Sequence, residues 1–175
     1  VHLPELRARY HVLYHEHARG IVDYMDRTYA LGSGRDAAAR TFSAALALAA
    51  HPVDGALEAL DALAPRYKLC IATNGLSDMQ AGRLSVLRPR FYRVFVSEDM
   101  GCIKPDAAFF CMMLDELQTT ADRCLMIGDS VRSDIVGANA IGMDCIWFNC
   151  RAEELPQGVR VKAIVSDLRR LPALL

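Results

Sequence analysis

The sequence predicts an α/β fold, a doubly wound parallel sheet with a small helical subdomain ahead of it. Three observations carry this. Short apolar runs (KLCIAT at 68–73, RVFVS at 93–97, CLMI at 124–127 and DCIWF at 144–148) recur through the later part of the chain. Segments of helical spacing lie between them, and strands alternating with helices build a parallel sheet covered on both faces. Residues 3–50, by contrast, contain nothing that alternates like a strand.

Taken in order, Leu3-Pro4-Glu5 reads as a helix start, and Leu6, Tyr10, Leu13 and Tyr14 can share one face. Gly32-Ser33-Gly34 is a turn, and residues 35–50 form the next helix, with Phe42, Leu46 and Ala49 at helical spacing. Residues 1–50 are therefore expected to be a partial helical cap. His51-Pro52-Val53-Asp54-Gly55 breaks the pattern and opens the core, 51–175. In the core, helices are expected over 56–63, 76–87, 105–117, 131–141 and 167–174, and strands over 68–73, 93–97, 124–127, 144–148 and 161–165. Pro105 fits a first helical turn, where its missing N–H costs nothing.

The totals narrow the function. With 175 residues, 53 % of them apolar, the chain can bury a real core. A formal net charge of −1 gives no general pull toward nucleic acid or anionic membranes, and no apolar run is long enough to span a bilayer. The six cysteines form no CxxC pair, and three lie in strand-like runs as small apolar fillers, so reduced thiols and a cytoplasmic setting are expected. The sequence opens at Val1, not Met, so the lack of a signal peptide carries no weight. His11 and His15 share a helix face, but Val12 stands where a zinc HExxH motif has its Glu, and they read as solvated histidines.

Three strand ends carry polar groups. Thr73-Asn74-Gly75 offers a hydroxyl, an amide and a close-approach glycine, which suit a phosphate or an ordinary helix cap. Lys104 precedes a helix, where its ammonium can lean over the sheet edge or stay solvated. Asp129 follows the 124–127 run, with Asp134 five residues on, in the first turn of the next helix. They serve as turn former and helix-start acid, or as paired carboxylates that need a cation between them, for which Mg²⁺ is suited.

A hydroxyl, a lysine and paired acids at successive strand ends resemble the haloacid dehalogenase-like (HAD) hydrolase superfamily. IATNG is similar to its second motif, GCIKPDAAFF to its third and IGDSVRSD to its fourth. The wording IATNGLSDMQAGRL and SEDMGCIKPD is similar to the pyrimidine 5′-nucleotidase subgroup of its small-cap phosphatases. The resemblance implies a HAD-like Rossmannoid core and a Mg²⁺-dependent phosphomonoester hydrolase acting on a small phosphorylated metabolite, a pyrimidine nucleoside monophosphate. It implies catalytic roles for Thr73 and Lys104. Phosphate binding would fall to Thr73, Asn74, Gly75 and Lys104, and metal binding to Asp129 and Asp134.

One departure matters. The family's first motif, a strand ending in Asp-x-Asp-x-Thr that supplies the nucleophile and the general acid/base, has no match here. Asp23, Asp26 and Thr28 have the wrong spacing and no strand before them. The central first strand is thus expected to be absent from these residues. The chain alone is expected to be inactive, with a gap of roughly 9.6 Å, two strand spacings, between the 70–73 and 124–127 strands. A non-catalytic phosphate- or partner-binding remnant of the fold is the other class of function, and a 2-haloacid dehalogenase the other chemistry.

Overall fold

A computed structural model describes Tyr24, residues 26–28, residues 35–48 and the continuous run 51–175. The expected helix start at Leu3, the histidines at 11 and 15, Asp23 and the turn at 32–34 lie outside the described residues. Asp26 and Thr28 are helical, and the Thr28 hydroxyl donates to the Tyr24 carbonyl at 2.7 Å, an internal helix contact. Helix α1 (Arg35–Leu48) follows.

In the core, α2 (Ala56–Leu63), β1 (Cys70–Thr73), α3 (Ser77–Leu84) and β2 (Arg93–Val96) come first. They are followed by α4 (Ser97–Met100), α5 (Ala107–Leu117) and β3 (Leu125–Gly128). A π-helical turn (Val131–Ile135) then leads into α6 (Val136–Ala140), β4 (Asp144–Phe148), β5 (Ala163–Val165) and α7 (Leu171–Leu174). The elements fall where the sequence puts them, with local differences. α4 occupies SEDM, taking Ser97 from the strand expected over 93–97 and adding a helical turn where no element was expected. α5 starts at Ala107, not in the turn holding Pro105, because the Asp106 carboxylate caps it by accepting the Ala108 N–H at 2.9 Å.

All strand pairs are parallel, as the alternating pattern requires: β1 with β2, β3 with β4, and β4 with β5. They form two sheets, β1-β2 and β3-β4-β5. Among the described residues β1 has no ladder partner except β2, and β3 none except β4. Among the described residues no ladder joins β1 to β3, so a seam without ladder bonds separates the two sheets.

Strand alternation explains how both faces of β4 are buried. Cys145 and Trp147 enter a core with Phe95, Phe109, Phe110, Met126 and Ile135, while Ile146 and Phe148 enter a second one with Leu63, Val165 and Leu171. Cys70 and Ala72 of β1 pack against the first core, so one apolar cluster ties the two sheets together despite the seam. Gly137 lets α6 approach α5: a Cβ there would stand 2.3 Å from the Phe110 ring. Gly82 of α3 does the same for α1, since a Cβ would meet that of Ala47 at 2.7 Å. No described helix is long and apolar enough to cross a membrane.

Because β4 is paired on both edges, its backbone amides should be the most protected in native-state hydrogen exchange. Amides on the seam-facing edges of β1 and β3 should exchange faster than those bonded to β2 and β4. Uniform protection across β1, β3 and β4 would show that the seam closes in solution.

Candidate active site

The polar strand ends converge at the carboxyl edge of the sheets, on either side of the seam. Thr73 ends β1, and Asn74 follows it. The Asn74 side chain forms a two-way clasp on the backbone of Lys104: its Nδ2 donates to the Lys104 carbonyl at 3.0 Å, and its Oδ1 accepts the Lys104 N–H at 2.9 Å. That clasp anchors a loop residue thirty positions away beside β1.

The Lys104 ammonium then reaches across the seam. Nζ donates to the Ala72 carbonyl in β1 at 2.6 Å and to Asp134 Oδ1, beyond β3, also at 2.6 Å. Both side chains are buried, 8 % and 6 % exposed. Asp134 Oδ1 also accepts from the Ser133 hydroxyl at 3.3 Å, and Oδ2 accepts the Ser130 N–H at 3.1 Å. This fit depends on Gly128, where a Cβ would stand 2.4 Å from Asp134 Oδ2. An ammonium has three N–H donors. Two are engaged here, and no described residue takes the third.

Asp129 differs. It is exposed, and its carboxylate has no hydrogen-bond or ion-pair partner among the described residues. Its backbone is fixed instead: the Trp147 indole N–H donates to the Asp129 carbonyl at 3.0 Å. Beside it lies a cavity of about 310 Å³, walled also by Arg132, Phe148, Asn149 and Arg151. Its floor is held by Asn149, which exchanges two hydrogen bonds with the backbone of Glu153, at 2.8 and 3.0 Å.

Thr73, Lys104 and both acids thus gather at one edge, and three of the residues expected to hold ligands have protein partners here. Asn74 and Gly75 were expected to serve a phosphate. The amide of Asn74 is engaged by Lys104, and the Gly75 N–H donates to the Ser97 hydroxyl at 2.8 Å. Asp134 was expected beside Asp129 on a metal, yet its oxygens face a lysine, a hydroxyl and an N–H. The nearer cation is Lys104, which the clasp delivers to it. No group of three or more His, Cys, Asp or Glu among the described residues is placed to hold a metal. Asp129 alone fits Mg²⁺, an ion that binds through one or two carboxylates and keeps several waters or substrate oxygens.

Three contributors went unseen in the sequence. Gln80, in the first turns of α3, donates from Nε2 to the Thr73 hydroxyl oxygen at 2.8 Å. Arg132 and Arg151 line the cavity next to Asp129. Cys102, two residues before Lys104, is no substitute nucleophile: burial, helped by nearby Asp106, pushes its thiol up to about 11.

A family model described as haloacid dehalogenase-like hydrolase matches residues 3–142. The chain is 43 % identical over 108 residues to the pyrimidine 5′-nucleotidase PynA of Streptococcus pneumoniae, covering 59 % of this chain and 46 % of that protein. It is 35 % identical over 137 residues to the pyrimidine 5′-nucleotidase YjjG of Escherichia coli, covering 77 % of this chain and 61 % of the relative. The chain therefore spans about half the length of these relatives. Its fold matches the structure of the HAD-hydrolase YfnB of Bacillus subtilis bound to magnesium, with a TM-score of 0.77 and 25 % identity over 98 % of this chain and 82 % of that one.

The Lys104–Asp134 pair separates the two acids energetically. Asp134→Ala would leave a buried ammonium without its counter-charge, and urea denaturation should show a loss of about 3–5 kcal/mol. Asp129→Asn, at an exposed and unpartnered side chain, should stay within about 0.5 kcal/mol. Equal midpoints for the two variants would show that the pair is not closed.

Proposed function

The chain belongs to the haloacid dehalogenase-like hydrolases, and from that premise we propose that it carries the phosphate clamp of a magnesium-dependent hydrolase of pyrimidine nucleoside monophosphates. The names of the two nucleotidase relatives support the substrate. A cytoplasmic setting goes with a small phosphorylated metabolite.

The charge count at the seam supports the metal. Lys104 is neutralised by Asp134 at 2.6 Å, and the Asp129 carboxylate has no ion-pair partner among the described residues, with Arg132 and Arg151 lining the cavity beside it. A phosphate anion brought against Thr73 and the third N–H of Lys104 meets that second negative charge. Two anions held together need a cation between them. Asp129 offers the oxygen ligand, and bound Mg²⁺ would neutralise charge on the phosphoryl oxygens.

The chain's own residues bind and orient. Thr73 donates its hydroxyl to one phosphoryl oxygen, and Lys104 donates to another while the Asn74 clasp holds its backbone. Such preorganised donors stabilise charge that develops during phosphoryl transfer. The cavity beside Asp129, at the lower end of ligand-pocket sizes, leaves room for the organic part of a small metabolite. No Asp-x-Asp-x-Thr motif in these 175 residues offers a nucleophile. These 175 residues alone accordingly bind phosphate without turning over.

Two measurements check this. The 175-residue protein should bind inorganic phosphate in a Mg²⁺-dependent way, lose that dependence as Asp129→Asn, and release no phosphate from uridine monophosphate. A chain extended to include an Asp-x-Asp strand should release it. Turnover by the 175 residues themselves would overturn the inactive clamp. Halide release from 2-haloacids without phosphate release by the extended chain would assign it to dehalogenation instead.

A further inference from the structure

Gln80 stands out as a buried polar side chain without an assigned task, 8 % exposed in α3. Its Nε2 lies 2.8 Å from Thr73 Oγ1 and 3.2 Å from the Asn74 backbone carbonyl. A carbonyl oxygen can only accept, so the Gln80 atom that faces it must be the amide nitrogen, not the amide oxygen. The two N–H groups of that nitrogen are then divided, one to the carbonyl and one to the threonine.

This fixes the sense of the Thr73 hydroxyl. A hydroxyl has one proton and two acceptor lone pairs. One lone pair receives the Gln80 N–H, so the proton points elsewhere, and none of the described residues accepts it. Left alone, a threonine hydroxyl rotates to suit any neighbour. Here the neighbour that could have taken its proton presents a donor instead.

We propose that Gln80 is a positioning residue for phosphate capture: it holds the Thr73 oxygen as an acceptor and so directs the Thr73 proton into the cleft, where an anion takes it. This rests on the phosphate-clamp function proposed above for Thr73. A second observation fits the same assignment. Gly75 is the residue against which the Gln80 amide lies, and a Cβ there would stand 2.6 Å from Nε2. The glycine of the TNG tripeptide makes room for the glutamine, and the Ser97 hydroxyl fixes it from the other side through the Gly75 N–H at 2.8 Å.

The test is a double-mutant cycle on the whole 175-residue protein, with inorganic phosphate in the presence of Mg²⁺ as the probe and calorimetry as the readout. Gln80→Leu removes the donor at similar volume and should weaken phosphate binding about tenfold, the worth of one oriented hydrogen bond. In the Thr73→Val background the same change should alter binding less than about twofold, because no hydroxyl remains to orient. Gln80→Glu, whose carboxylate would accept the Thr73 proton, should weaken binding more than Gln80→Leu does and serves if the leucine variant fails to fold. A merely structural role would lower thermal stability and affect binding equally in both backgrounds, and that additivity would overturn the proposal. Unchanged binding in both Gln80 variants would also overturn it, with the clamp function intact. No phosphate binding by the unmutated protein would overturn the clamp function itself, and the role of Gln80 with it.

Discussion

The buried pair between Lys104 and Asp134 is the contact on which the arrangement depends. Its two ends touch different sheets: the ammonium also bonds the Ala72 carbonyl in β1, and the carboxylate sits against Gly128 at the tip of β3. Burying either charge alone would cost several kcal/mol. Together each offsets the other's charge, and the Ser130 N–H and Ser133 hydroxyl complete the carboxylate, while one Lys104 N–H stays without an acceptor among the described residues. The pair therefore fixes the relative position of two strand ends that no backbone ladder connects among the described residues.

That is a demanding place for a single ion pair. Facing strand edges leave N–H and C=O groups without ladder partners, which is costly where water is excluded and invites pairing with another strand where it is not. The apolar cluster that holds Cys70, Ala72, Phe95, Met126 and Trp147 works in the same direction as the pair. It is non-directional, however, and sets proximity, not register. The lysine adds the directional element, at the end of the seam where the chemistry is placed.

The fold was largely legible because its strands are short apolar runs between turn residues. DCIWF reads as a strand buried on both faces, and it is. Thr73, Lys104, Asp129 and Asp134 were legible for a related reason: in a parallel sheet the residues just past the strand ends share one edge. Their partners were not. Nothing in the spacing of Asn74 and Lys104 says that one clasps the backbone of the other, and nothing in the helix SDMQAGRL marks its glutamine as a donor to Thr73. Hydrogen bonds of that kind are set by tertiary packing. The lysine partner of Asp134 was likewise hidden, since two carboxylates five residues apart suggest a shared cation and nothing local announces an ammonium arriving from another loop. The i→i+5 bonding that makes 131–135 a π-helical turn also lies below what periodicity resolves.

Trp147 is the chain's single tryptophan, and its indole N–H is bonded to the carbonyl of Asp129. Indole emission responds to the polarity and hydrogen bonding of the ring's surroundings. Here those surroundings include the backbone of Asp129, an exposed acid without a hydrogen-bond or ion-pair partner among the described residues. These 175 residues thus carry an intrinsic optical reporter, with no competing tryptophan among them, hydrogen-bonded to the backbone of Asp129. Any change in polarity or charge at that residue is open to fluorescence, without label or substrate.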